Sequence, residues 1–211
     1  ETKWQDLVKD MFAVSNDTEG ISLYIHLPFC ESLCTYCGCN TRITVNHKVE
    51  NPYIEAVLKE WQLYLDFLPS RPLIREIHLG GGTPTFFSPN HLQNLIKGLL
   101  ARADVHPQAA FGFEAHPAST TDAHLEALYE VGFRRISIGV QDFNPVVLHL
   151  INRPQTYQQV KHVTEKAREI GYTSVNFDLV YGLPQQRVCT MTQTIGEVIA
   201  LRPDRIALYS Y

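Results

Sequence analysis

The chain has 211 residues, 45% hydrophobic and 19% charged, a balance that suits a folded globular chain and excludes a disordered one. Lys and Arg number 18 against 22 Asp and Glu, a formal charge of −4, so no basic field marks a nucleic-acid partner or an anionic membrane surface. No apolar run approaches the roughly 18 residues of a membrane span, and no leader-like segment opens the sequence at Glu1.

Residues 1–20 read as an N-terminal arm. The β-branched and aromatic run over 21–27 predicts a strand, and a cysteine-rich loop follows it directly. Asn51 and Pro52 predict the N-cap and first-turn proline of a helix to about Leu68, with Ile54, Val57, Leu58, Trp61 and Leu65 at helical spacing. A second strand over 74–79 runs into Gly80-Gly81-Gly82-Thr83-Pro84. Ser88-Pro89 then opens a helix with Leu92, Leu95, Ile96 and Leu99 on one face.

A strand over 110–115, a helix capped by Thr121 and ending near Gly132, and a strand over 135–140 continue the alternation. That last strand leads into Gln141-Asp142-Phe143. Thr156 and Gln159 have capping-box spacing for a helix carrying Val160, Val163, Ala167 and Ile170, closed by Gly171. A strand over 174–180, a helix through about Leu201 and a strand over 205–211 complete the chain. Strands alternating with helices in this way predict an α/β fold of parallel βα units. A doubly wound sheet is the rival, but its Gly-x-Gly-x-x-Gly fingerprint and a P-loop are both missing. A partial barrel is favoured, since a complete eight-unit barrel typically takes about 250 residues.

In a parallel barrel the site forms at the carboxyl ends of the strands. The cysteine loop, Gly80–Thr83, Glu114, Gln141, Asp178, Tyr209 and Tyr211 all fall there. Strand parity puts Tyr24 with His26, Glu114 with His116, and Asn176 with Asp178. Strands buried on both faces read as nearly all apolar, so a polar stripe implies a lined cavity.

Cys30, Cys34, Cys37 and Cys39 crowd into ten residues, while Cys189 stands alone and reads as a small buried hydrophobe. A secreted disulfide framework staples distant loops, whereas pairs within this cluster close only tiny rings. Metal or iron–sulfur ligation in a reducing compartment, the cytoplasm, is the better reading. A structural zinc would have to crowd all four thiolates into one loop. A ferredoxin-type cluster would want four cysteines at other spacings. Three thiolates would leave one iron open to chemistry.

The segment Tyr24-Ile-His26-Leu-Pro28-Phe-Cys30-x3-Cys34-x-Tyr36-Cys37 resembles the cluster loop of radical S-adenosylmethionine enzymes. Cys37-Gly38-Cys39-Asn40, GGGTPT at 80–85, GVQDF at 139–143, Asn152-Arg153-x-Gln155 and DLVYGLP at 178–184 resemble, more narrowly, the oxygen-independent coproporphyrinogen III oxidase family. Heme-chaperone relatives look similar but usually replace Gly38-Cys39 with an acidic and an apolar residue. Leu79 stands where some relatives carry Trp.

The resemblance implies a partial (β/α)6 TIM-like barrel of the radical SAM type over residues 21–211, with a carboxyl-terminal domain beyond this chain. It implies a 4Fe–4S cluster on Cys30, Cys34 and Cys37, with Cys39 needed but not a ligand. It further implies two S-adenosylmethionine molecules. Tyr24, Gly81 and Glu114 match contacts to the first; Tyr36, Gly38, Gly82, Thr83, Gln141, Arg153 and Asp178 match contacts to the second. With Tyr24, His26 and Cys39 near the reacting atoms, the implied reaction converts two propionates of coproporphyrinogen III to vinyl groups in heme biosynthesis. An external electron donor and a further electron acceptor complete it, without nucleic acid or membrane. A tetracarboxylate substrate calls for cationic anchors, and Arg42 is one candidate. A heme-binding chaperone and a plain electron-transfer module are the competing classes.

Overall fold

The computed structural model describes residues 2–211, organised by a parallel sheet of six strands. The elements in chain order are α1 (Thr2–Ser15), β1 (Ile21–Leu27), the two-residue strands β2 (Phe29–Cys30) and β3 (Arg42–Ile43), α2 (Glu50–Phe67) and β4 (Leu73–Gly81). Then come α3 (Pro89–Leu100), β5 (Asp104–Ala115), α4 (Asp122–Glu130), β6 (Phe133–Gln141) and α5 (Pro145–Leu150). The chain finishes with α6 (Tyr157–Ile170), β7 (Ser174–Tyr181), α7 (Val188–Leu201) and β8 (Arg205–Ser210). The large sheet runs β1-β4-β5-β6-β7-β8, so β1 and β8 are edges and the barrel is open. All five of its pairings are parallel.

Alternation along each strand separates two environments. Ile77, Leu79, Phe111, Phe113, Ile136, Ile138, Val175 and Phe177 are buried in one core with Leu92, Leu95, Ile96, Leu125 and Val163 of the helices. Their neighbours His78, Gly112, Glu114, Arg135, Ser137, Asn176 and Asp178 face the other way and line a cavity. The sheet is therefore apolar beneath its helices and polar on its inner face.

Local signals act as their chemistry dictates. Ser88, Thr121 and Thr156 cap α3, α4 and α6 through their hydroxyl oxygens, the last two within capping boxes. Gly171 closes α6 at φ 114°, where a β-carbon would be strained. The stretch read as an arm carries α1, which docks through buried Phe12 and through Asn16, whose side chain bonds Arg71 O and Leu73 N.

Several expectations need correction. Asn51 is not an N-cap: a 3-10 turn over His47–Val49 runs straight into α2, whose cap residue is Val49. What fixes that end is Glu50, 2% exposed, accepting from His47 Nδ1 at 2.6 Å, His91 Nδ1 at 2.6 Å and Ser88 N at 2.7 Å. Cys189 is exposed, because it sits on the first turn of α7 outside the core. β5 begins six residues earlier than expected, at Asp104, and α5 was not anticipated at all.

Gly82 marks where the chain leaves β4 and crosses the start of the cysteine loop. A β-carbon there would lie 2.6 Å from the carbonyl carbon and oxygen of Pro28, backbone atoms that cannot swing aside. Gly82→Ala is expected to cost about 2–3 kcal/mol, seen as a lower urea midpoint at unchanged m. Gly196→Ala, on α7 with nothing within 4 Å, is expected to gain about 0.5–1 kcal/mol instead. Equal effects from the two would contradict this account.

Candidate active site

A cavity of about 820 Å³ opens at the carboxyl ends of the strands, and Cys30, Cys34, Cys37, Glu114, Arg153 and Asp178 are among its lining residues. It meets a second cavity, of about 1160 Å³ along the inner face, at Tyr36, Cys39, Glu114, Ser137, Gln141 and Asp178. The cysteine loop, Gly81–Thr83, Glu114, Gln141 and Asp178, from five strand ends, line the first cavity, and Tyr209 and Tyr211 of the sixth line only the second. Tyr24, His26 and Arg42 line neither cavity, and Arg42 is exposed on β3.

The cysteine loop is moored at both ends. At its start, Cys30 Sγ lies 3.2 Å from Thr83 Oγ1, and Thr83 N donates to Phe29 O at 2.9 Å. At its far end, His26 Nε2 donates to the Asn40 carbonyl at 2.7 Å. A carbonyl only accepts, so that nitrogen carries the proton, and Nδ1 accepts from the Tyr24 hydroxyl at 3.2 Å. Tyr24 and His26 are thereby locked as a pair on β1, with Tyr24 stacked on His78.

Glycines let this rim close up. A β-carbon on Gly81, at φ 114°, would strike the His26 ring, and one on Gly80 would meet the Glu114 carboxylate at 2.8 Å. Gly38 meets nothing within 4 Å, so no protein atom requires a glycine there. Glu114 itself accepts from Gly81 N at 3.3 Å and lies 3.4 Å from His78 Nε2, while staying half-exposed to the cavity.

Asp178 accepts from Ser137 Oγ at 2.7 Å and Asn176 Nδ2 at 2.9 Å. Burial raises its carboxyl above the usual range, against those two bonds. Gln141, also buried, is held at φ 66°. Its neighbour Asp142 is fully buried and collects four donors from Phe143, Asn144, Gln186 and Thr194. Tyr36 packs against Val147, Leu148, Ile151, Val180 and Leu183, and burial pushes its hydroxyl well above the usual tyrosine range. Tyr209 reaches the second cavity, and Tyr211 lies just past β8, bonded through its N–H to Tyr181 O at 2.8 Å.

His116, noted only for its parity with Glu114, turns out to wall the first cavity. Its Nδ1 accepts from Ala118 N at 3.2 Å. Burial, reinforced by the charge of Arg153, lowers it to about 3. An unfolded histidine titrates near about 6.5, so between those values only the unfolded chain takes up the proton. The stabilisation is complete above about pH 6.5 and is lost as pH falls toward 3, at a slope approaching about 1.4 kcal/mol per pH unit. His116→Asn is expected to flatten that part of a urea-midpoint profile against pH. An unchanged slope would contradict the assignment.

All five cysteines are free thiols. Burial raises Cys30, and burial with the adjacent Cys37 pushes Cys39 up to about 11. Among the described residues no three Cys, His, Asp or Glu side chains gather around one metal-ion position.

A family model described as the radical SAM superfamily matches residues 24–197. The chain belongs to that superfamily. It is 38% identical over 193 residues to the oxygen-independent coproporphyrinogen III oxidase of Pseudomonas aeruginosa, covering 90% of this chain and 42% of that protein. The enzyme of the same name from Escherichia coli is 37% identical over 191 residues, again covering 90% of this chain and 42% of the relative. The solved structure of coproporphyrinogen III oxidase from Escherichia coli, described as a radical SAM enzyme, superposes with a TM-score of 0.90 at 34% identity. It covers 100% of this chain and 47% of that one. The chain therefore spans less than half the length of these relatives.

Radical SAM membership implies a 4Fe–4S cluster and S-adenosylmethionine. The residues present fit both. Three soft thiols of one loop stand at the cavity wall, the donor chemistry a cluster requires. Beside them lie a half-exposed carboxylate, a buried guanidinium and a glycine-rich turn, suited to an amino acid's ammonium and carboxylate groups.

Proposed function

We propose that this chain is the catalytic core, residues 21–211, of an oxygen-independent coproporphyrinogen III oxidase. Residues 1–20 would form its arm, and a carboxyl-terminal domain would follow in the longer protein. The observation that carries this reading is the convergence of Cys30, Cys34 and Cys37 with Glu114, Gln141, Arg153 and Asp178 around one cavity. Likeness at 34–38% identity to coproporphyrinogen oxidases supports the substrate.

Cys30, Cys34 and Cys37 would hold the cluster, and Tyr24, Gly81 and Glu114 the first S-adenosylmethionine. Tyr36, Gly38, Gly82, Thr83, Gln141, Arg153 and Asp178 would hold a second. When bound, the cluster supplies the electron that splits S-adenosylmethionine and so provides a hydrogen-abstracting radical for each propionate. The protein's share is position and electrostatics. Glu114 keeps an exposed carboxylate to accept from an ammonium or ribose hydroxyl. Asp178, braced by Ser137 and Asn176, has its carboxylate fixed before a ligand arrives. The Tyr24–His26–Asn40 chain holds the far end of the loop so that Cys37 and Cys39 keep their place. Tyr36 and the apolar residues behind it exclude water on one side. The thiols fit a reducing compartment such as the cytoplasm, where an external donor would supply electrons and a separate acceptor would remove them.

The longer protein, reconstituted anaerobically and given reductant, S-adenosylmethionine and coproporphyrinogen III, is expected to release carbon dioxide and form protoporphyrinogen IX. Tight heme binding with no decarboxylation would replace this reading with a heme chaperone.

A further inference from the structure

The turn between α5 and α6 grips three consecutive residues of the cysteine loop. The Asn152 side-chain amide donates to the Leu33 carbonyl at 2.7 Å, and Thr35 N donates to the Ile151 carbonyl at 3.0 Å. Between them, Arg153 Nη1 donates to Cys34 Sγ at 3.5 Å. Asn152 itself stands at φ 52°, a left-handed conformation that a non-glycine residue keeps when its surroundings hold it there.

The guanidinium is aimed. Nη2 donates to Gly139 O at 2.6 Å and Nε to Gln155 Oε1 at 2.9 Å, while Gln155 Nε2 donates to Val140 O at 2.5 Å. Arg153 is 8% and Gln155 9% exposed, so this brace is shielded from solvent. A β-carbon at Gly139 would collide with Nη2, so a glycine in the Gly-Val-Gln-Asp segment is what lets the arginine lie there. Two strand-end carbonyls and one glutamine thus point a permanent cation at one sulfur.

We infer that the Asn152–Gln155 turn is a positioning device for Cys34, and that the Arg153 guanidinium, by donating to the Cys34 sulfur, raises the reduction potential of the cluster. The inference rests on Cys34 being a cluster ligand, and it is separate from any contact of Arg153 with S-adenosylmethionine. Reduction adds negative charge to the cluster and its sulfurs. A hydrogen-bonded cation in a buried setting favours that charge, and hydrogen bonds to cluster sulfurs are among the ordinary controls of potential. Arginine stays protonated at any working pH, so the contribution does not vary with pH.

The test is a redox titration, followed by electron paramagnetic resonance, of the reconstituted longer protein without S-adenosylmethionine. Wild type, Arg153→Lys and Arg153→Met are compared after iron and sulfide have been measured in each. The expected result is a more negative midpoint in Arg153→Met and a smaller shift in Arg153→Lys, which keeps the charge but not the fork. The shift should be the same at pH 7 and pH 8. Should Arg153→Met fail to hold a cluster, Gln155→Leu, which removes the brace and keeps the guanidinium, is expected to shift the midpoint the same way by less. Equal midpoints at full iron content in wild type and the variants would overturn the inference and leave the cluster assignment standing. A wild type that binds no cluster would overturn both.

Discussion

Replacing any one of Cys30, Cys34 and Cys37 by serine is expected to abolish S-adenosylmethionine cleavage and most of the iron content. The loss should exceed the roughly 10–100-fold that removal of an outer-sphere metal partner brings, because the change removes a ligand outright. A hydroxyl of ordinary acidity is a poor substitute for a soft thiolate on iron. Cys39→Ser is the informative contrast. Partial burial and the neighbouring Cys37 push the Cys39 thiol up to about 11, which disfavours its thiolate. Cys39→Ser should retain iron, and Cys189→Ser on the surface of α7 should retain both iron and cleavage. Iron and sulfide per chain, with the visible charge-transfer absorbance, measure this directly. Full iron in Cys34→Ser together with loss in Cys39→Ser would reassign the ligands.

The largest effect on folding is expected at Asp142. Its carboxylate is fully buried and accepts from Phe143 N at 2.6 Å, Asn144 N at 2.9 Å, Gln186 Nε2 at 2.7 Å and Thr194 Oγ1 at 2.5 Å. Those donors come from the segment between β6 and α5, the loop after β7, and α7. Asp142→Ala removes the acceptor for all four at once, and each donor then bears its own desolvation. A cost of about 3–5 kcal/mol follows, a large share of the roughly 5–15 kcal/mol that holds a domain together. Asp142→Asn keeps one acceptor oxygen and should lose about half as much. Chemical denaturation of the two variants decides the matter, and a loss below about 1 kcal/mol in Asp142→Ala would contradict it. Because Gln141 is held at φ 66° beside this knot, the variant should also disturb the cavity wall.

How much of this was legible in the sequence depended on the range of the signal. Leu92, Leu95, Ile96 and Leu99 repeat on one helical face and are buried, because period and burial are the same fact seen twice. The polar stripe at Glu114, Asn176 and Asp178 broke the apolar rule for parallel strands, and that break correctly marked a cavity. Capping by Thr121 and Thr156 is local and was readable. Asn51-Pro52 misled because the decisive group, Glu50, is satisfied by His91 and Ser88 of a helix some forty residues away. Cys189 misled because a cysteine's usual burial says nothing about which face of α7 it occupies. The brace of Gln155 on Arg153, and of Arg153 on Cys34, spans separate loops, so the motif could be quoted from sequence but its work could not.

The central claim is that Cys30, Cys34 and Cys37 and the rim residues around them form a working radical SAM centre. The most direct measurement is formation of 5′-deoxyadenosine by the reconstituted longer protein under strict anaerobiosis, with reductant and S-adenosylmethionine. Cleavage that depends on all three cysteines and on Glu114 is the predicted result. A protein that assembles its cluster yet yields no 5′-deoxyadenosine, with or without coproporphyrinogen III, would contradict the account.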